Sequence, residues 1–430
     1  MASRILFNIL AVALGASMVQ GADNRGPLNQ ELPSWLTLGV QTRLRAEGQH
    51  GIRFTEGNDQ DFLLQRYRFS TLILPNSWLQ FYGEIQDSRS VGIPTHDPSY
   101  RDTFDLRQAY VGLGKEGGLW DLRVGRQRLA FGSERLLGNA EWSNVPRVYD
   151  GARLALQHGS DRVDLFAASV VQSDADHWDH HKQGNNLYGA YASIGSLIAG
   201  GKIEPYFLYR VGPSFGGEFG KAGHYDSSTM GVRTAGGFRK LWTYESEMIS
   251  QRGTIGTASL RAWAFMAQGN RRISQLPWNA TLSTEFNYAS GDRRQGDGQV
   301  NTFDQLYPTN HLIYGLTDQQ GRRNAENVRA ALKLQPRKWL TVRAEERYLW
   351  LASKYDALYV FNGAISVPAI AGGARYRDVG SEFDVMGDFV TSKYYSIGAQ
   401  WGHLTAGKFL KTYSPGSGRG FYAFFFDFHL

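Results

Sequence analysis

Arginines recur two residues apart along this chain: Arg43 and Arg45, Arg66 and Arg68, Arg126 and Arg128. Arg343, Glu345 and Arg347 keep the same spacing, and Arg123, Arg153 and Arg329 stand singly. A guanidinium presents a planar fork of donors that grips a carboxylate or phosphate through two parallel hydrogen bonds. A row of such groups around a common space favours acidic solutes. Carboxylates are interspersed among them, Glu345, Glu382 and Asp384 included. Ion pairs that stiffen the surrounding wall are therefore the competing reading for any single arginine.

What would hold these arginines on one side is an alternating strand. In "LTLGVQTRLRAE" the residues Leu36, Leu38, Val40, Thr42 and Leu44 alternate with Thr37, Gly39, Gln41, Arg43 and Arg45. Such period-two runs recur from Leu63 to Ile73, from Leu79 to Gln86, around Arg153, from Asn327 to Gln335 and from Leu340 to Arg347. Strands of soluble sandwiches are commonly about 5–6 residues long, whereas a tilted strand crossing a bilayer takes about 9–11. The longer length fits here.

Connections supply a second regularity. Short ones ("PNS", "GKEGG", "HGSD", "FRK", "PRK") alternate with long polar ones at 48–61, 90–102, 132–147, 172–185, 212–227, 290–324 and 352–380. The 252–256 loop is the exception. This is the pattern of an all-β transmembrane barrel, with tight turns at one end and long external loops at the other. Segment counting gives an antiparallel up-and-down barrel of about 18 strands, an even number as expected. The 290–380 loops are long enough to fold inward as a plug. The last run, "FYAFFFDFHL", sets Tyr422, Phe424, Phe426 and Phe428 on one face, as a closing strand that meets lipid and is read by barrel-insertion machinery.

Register follows from energetics. A basic residue on the lipid face near mid-bilayer costs about 2–4 kcal/mol, and a one-residue slip turns every side chain over. Arg43, Arg45, Arg66, Arg68, Arg123, Arg153, Arg329, Arg343 and Arg347, with Glu345, Glu382 and Asp384, therefore point into the lumen. In "WDLRVGRQRLAFG" the same parity would send Arg126 and Arg128 to the lipid. A β-bulge at Gly125 is expected to return both to the lumen.

At these residues the chain resembles the alginate export porins of Gram-negative outer membranes. The resemblance is carried by "VGRQRL" at 124–129 after "DLRQAYVGL", by "VGSEFDVMGDFVTSKYY" at 379–395, by "AGKFL" at 406–410 and by the aromatic last strand. "TFDQLYPTNHLIYGLTDQQGRRN" at 302–324 is similar to the wider group. The resemblance implies an 18-stranded monomeric barrel whose arginine-rich constriction passes an anionic polysaccharide. On the matching motifs it carries Arg126, Arg128, Glu382 and Asp384 as site residues. It also implies possible periplasmic secretion partners.

The remainder of the chain narrows the reading. Residues 1–21 read as a secretory signal peptide, with Arg4, an apolar stretch and small residues before Ala22, leaving 22–430 as one barrel domain. The chain has no cysteine, which removes disulfides and thiolate metal sites. The net charge of +6 comes from basic residues scattered singly through strands, so nucleic acid is not an expected partner. No cofactor motif is present. "DADHWDHH" at 174–181 could hold a divalent metal, but a polar external loop explains it as well, and no metal is expected. The expected function is an outer-membrane porin or exporter for an acidic polysaccharide. A general or uptake porin for small anions or sugars is the alternative. An outer-membrane enzyme is a weaker one, since His403 has no nucleophile beside it.

Overall fold

The structure is a computed structural model and describes residues 26–93, 97–216, 222–390 and 392–430. The leader expected at 1–21 lies outside the described residues. Long alternating runs become long strands: β1 (Leu36–His50), β2 (Gln60–Ile73), β3 (Leu79–Val91), β4 (Asp102–Gly114), β5 (Trp120–Gln127), β6 (Tyr149–His158), β7 (Asp161–Gln172), β8 (His180–Ile194) and β9 (Gly201–Gly216). They continue as β10 (Ala222–Phe238), β11 (Trp242–Ile255), β12 (Ala258–Arg272), β13 (Thr281–Ala289), β14 (Ala325–Arg337), β15 (Leu340–Leu351), β16 (Asp378–Phe389), β17 (Tyr395–Ala406) and β18 (Arg419–His429). Each pairs antiparallel with the next. β18 returns to β1 in register from Gln41 opposite His429 to His50 opposite Gly420, so the sheet has no free edge. The expected closed barrel of 18 strands is what forms.

Short turns lie at one end, for example at 159–160 and 338–339, and the long loops lie at the other. The tight connection at 256–257 is the exception at the long-loop end. Six of the 11 tryptophans mark the short-turn end: Trp35, Trp78, Trp120, Trp242, Trp278 and Trp339, all exposed. Indole rings prefer the boundary between hydrocarbon and water, so this ring of residues marks one membrane interface. Between the ends the outward face is apolar, as with Phe69, Phe81, Leu165, Phe207 and Val328. No helix among the described residues is long and apolar enough to cross a membrane. The short helix α1 (Lys408–Tyr413) buries Phe409 and Leu410 at the long-loop end.

The barrel is not hollow at that end. The connections 128–148, 290–324 and 352–377 turn inward and build a core of their own against the wall. Leu137, Phe303 and Tyr307 pack with Leu187, Tyr225 and Leu260 of the strands. Backbone pairing joins the first two loops: Tyr307 N–H donates to Leu136 O at 2.8 Å and Gly138 N–H to Tyr307 O at 2.9 Å. The loops that length alone left free to fold inward do so, and the 128–148 loop joins them.

Candidate functional site

β1 and β2 put Arg43, Arg45, Arg66 and Arg68 on the buried, inward face, with Arg43 directly opposite Arg66. β4 adds Arg107. Pairing of β3 with β4 slips at Glu84/Ile85, which turns both Arg107 and Gln108 into the interior. The result is a basic stripe across neighbouring strands, where like charges repel unless something anionic lies against them.

That anionic partner is Glu141, carried in by the 128–148 loop. Its carboxylate meets Arg107 at 2.5 Å, Arg68 at 3.1 Å, Arg128 at 3.4 Å and Arg66 at 3.7 Å. Burial alone would raise its carboxyl pKa, but Arg107, Arg68, Arg66 and Arg128 hold it well below the ordinary glutamate range. The loop backbone takes further donors: Arg43 donates to Glu141 O at 2.8 Å and to Trp142 O at 2.9 Å, and Arg66 to Ser143 O at 3.1 Å. Trp142 lies under the Arg45 guanidinium, 3.9 Å from its centre to the ring centroid.

The second inward loop closes on the first. His311 stacks on the other side of this cluster against Trp142, and Phe425 meets the same indole edge-on at 5.6 Å. The loop is tied to two opposite stretches of wall. Arg210 of β9 and Tyr225 of β10 reach Asp304 at 2.8 and 2.7 Å. On the far side Thr317 donates its N–H and hydroxyl to Glu382, both at 2.7 Å, and Leu316 N–H donates to Asp384 at 3.3 Å. Glu382 and Asp384 thus face inward as expected, but they anchor the plug.

The other expected lumen arginines are held in wall networks. Glu345 receives Arg329 at 2.9 Å and both Arg343 and Arg347 at 3.3 Å. Asp164 receives Arg153, and Arg123 pairs with Glu116 and Asp121. Arg128 and Arg343, each 31% exposed, are the most open of this set.

Arg126 and the bulge require a correction. β5 pairs without a register shift through Gly125 on both sides. Gly125 is needed because its φ is +129° and a Cβ there would fall 2.2 Å from Ala109 O, not because an extra residue is inserted. Arg126 consequently stays on the side of Trp120, Leu122 and Val124, near the long-loop end. There Asp150 binds its guanidinium at two points, 2.8 and 3.1 Å. Arg128 reaches the lumen because β5 ends at Gln127 and the chain then turns inward. Glu141, Trp142, His311 and Arg107 were not singled out in the sequence. A tryptophan inside the otherwise polar "NAEWSN" was the one signal available for the loop.

Solved structures with the same architecture include Acinetobacter baumannii OccAB2 (TM-score 0.64, 8% identity, 92% of this chain and 98% of that one). A. baumannii OccAB1 is similar at TM-score 0.61 and 11% identity, over 92% and 96% of the two chains. Pseudomonas aeruginosa OccK2 (OpdF), solved in complex with glucuronate, gives TM-score 0.57 and 10% identity over 92% and 96%. At such identities the likeness is one of fold. Comparison with curated proteins finds no match. The sequence pattern of the alginate export family matches residues 34–421, nearly the whole chain. The chain therefore belongs to the alginate export family, as an outer-membrane barrel of the porin type.

Proposed function

We propose that this barrel passes an anionic solute of the uronate class through the arginine stripe of β1, β2 and β4. The observation that carries the reading is the charge at the Glu141 cluster. Arg43, Arg45, Arg66, Arg68, Arg107 and Arg128 converge there on Glu141, Glu84 and Glu47, leaving cations in excess. Fixed donors spaced along a wall let a polyanion exchange one carboxylate contact for the next without becoming trapped. Family membership supports an acidic polysaccharide as that solute. A leader at 1–21 that directs export, and insertion through the aromatic closing strand, belong to the same reading.

A second reading is uptake of small uronates or other small anions. Three loops that turn into the lumen at the long-loop end favour it, since they leave less room for a polymer, and a barrel of the same fold is known with glucuronate bound. The test is current through single channels in planar bilayers. A reversal potential on the anion side in a salt gradient, reduced in Arg68→Ala, supports either form of the proposal; an unchanged potential overturns both. Block of that current by oligouronates but not by the monomer favours the polymer.

A further inference from the structure

Arg126, displaced from the lumen, leads to a group of carboxylates at the mouth of the barrel. Asp102 and Asp105, near the long-loop end of β4, and Asp179, just before β8, each offer an oxygen within 4.8 Å of the others. Asp102 and Asp105 are each 2% exposed. Among the described residues no donor reaches the buried Oδ1 of either one.

Arg126 offsets only part of the group's charge. Its nearest approach to Asp105 Oδ1 is 3.9 Å. Its own donors are committed to Asp150, to Leu106 O and to Asp179 O. Two buried carboxylates with unsatisfied oxygens are costly unless a proton or a cation joins them.

A cation, unlike a proton, would be shared by all three carboxylates. Asp179 N–H donates to Asp105 Oδ2 at 2.6 Å, which fixes loop against strand. The Asp179 carboxylate is itself oriented by Asp174 N–H at 2.9 Å and Ser173 Oγ at 3.2 Å. All-oxygen donors suit a hard ion. Calcium accepts several protein carboxylates at once in flexible geometry, whereas magnesium keeps most of its water and is usually held by one or two carboxylates. The run "DADHWDHH" contributes only its second-half aspartate, Asp179, and none of its histidines.

We propose that Asp102, Asp105 and Asp179 form a calcium-class divalent cation site that pins the 173–179 loop to the outer end of β4. The test is calorimetric titration of the folded, chelator-stripped barrel in detergent with calcium chloride. One saturable site is expected, with a dissociation constant of about 10⁻⁴–10⁻³ M as in extracellular modules, weakened at least roughly tenfold in Asp102→Asn. His177→Ala and His180→Ala should bind as the unaltered chain does. Absence of saturable binding overturns the proposal. So does equal binding by Asp102→Asn, which means an adventitious ion only, or loss confined to the histidine variants. Should Asp102→Asn fail to fold, amide exchange of the unaltered chain decides: residues 173–179 must exchange more slowly in calcium than in chelator, and equal rates overturn the site.

Discussion

The rings of Trp142 and His311 lie 4.5 Å apart between centroids and 10° from parallel, joining two loops that enter the lumen from different strand pairs. Arg45 covers the same indole by its guanidinium. The stack is therefore the point at which plug, second plug and charged wall meet.

Trp142→Ala should release the loops from each other. Truncating a fully buried tryptophan costs about 3–5 kcal/mol; Trp142 is partly buried, so its loss should fall toward the low end, with stacking adding about 0.5–1.5 kcal/mol beyond area. That loss falls on the plug, since the barrel is held by strand pairing. Larger and noisier single-channel conductance is expected; a conductance equal to that of the unaltered chain would show that the loops hold without the stack.

Glu141→Gln removes the charge that gathers Arg107, Arg68, Arg128 and Arg66. Losing one partner of a buried ion network costs about 3–5 kcal/mol. The stripe becomes more positive, so the reversal potential should move further toward the anion limit. Movement toward cations contradicts this electrostatic account.

The same carboxylate sets a pH window. Glu141 is held below its unfolded pKa, which is about 4.3. A depressed pKa contributes stability that is present above the unfolded value and is lost as pH falls through the folded one. Loop docking should then be constant from pH 8 to about 5 and weaken only in stronger acid. Channel noise recorded across that range measures it, and onset near neutrality would assign docking to another group.

Arg126→Ala and Arg68→Ala should behave differently. Arg68 lies against Glu141, whereas Arg126 is bound by Asp150 on the other side of β5. Ion selectivity should fall in the first-strand-pair variant, Arg68→Ala, and stay unchanged in Arg126→Ala. Equal effects would place Arg126 back in the conduction path.

Glu382→Ala should loosen the 290–324 loop at Thr317, leaving that residue's N–H and hydroxyl without their acceptor. An unpaired buried donor costs about 1–3 kcal/mol. Faster amide exchange at Leu316 and Thr317, with the strands unaffected, is the expected result.

How far the sequence carried this reading depended on the range of the interactions. Arg43, Arg45, Arg66 and Arg68 were legible because strict alternation in β1 and β2 leaves one inexpensive register, and that register is local. Arg107 was missed because the β3–β4 slip at Glu84/Ile85 breaks the parity from which it would be read. Gly125 was read as a bulge when the demand on it is steric, from a carbonyl on the neighbouring strand. Glu141, Trp142 and His311 sit in segments with the polarity of external loops. Only their long-range partners draw them inward, and spacing along the chain holds no record of those partners.

The seam between β1 and β18 also bears on assembly. Leu430 exchanges backbone hydrogen bonds with Val40 in both directions, so the two parts of the wall farthest apart in sequence must meet to close it. Until then both flanks of the growing sheet expose unsatisfied amides and a greasy outer surface. A contact of such long range is slow to form, which makes the closing of this seam a late event.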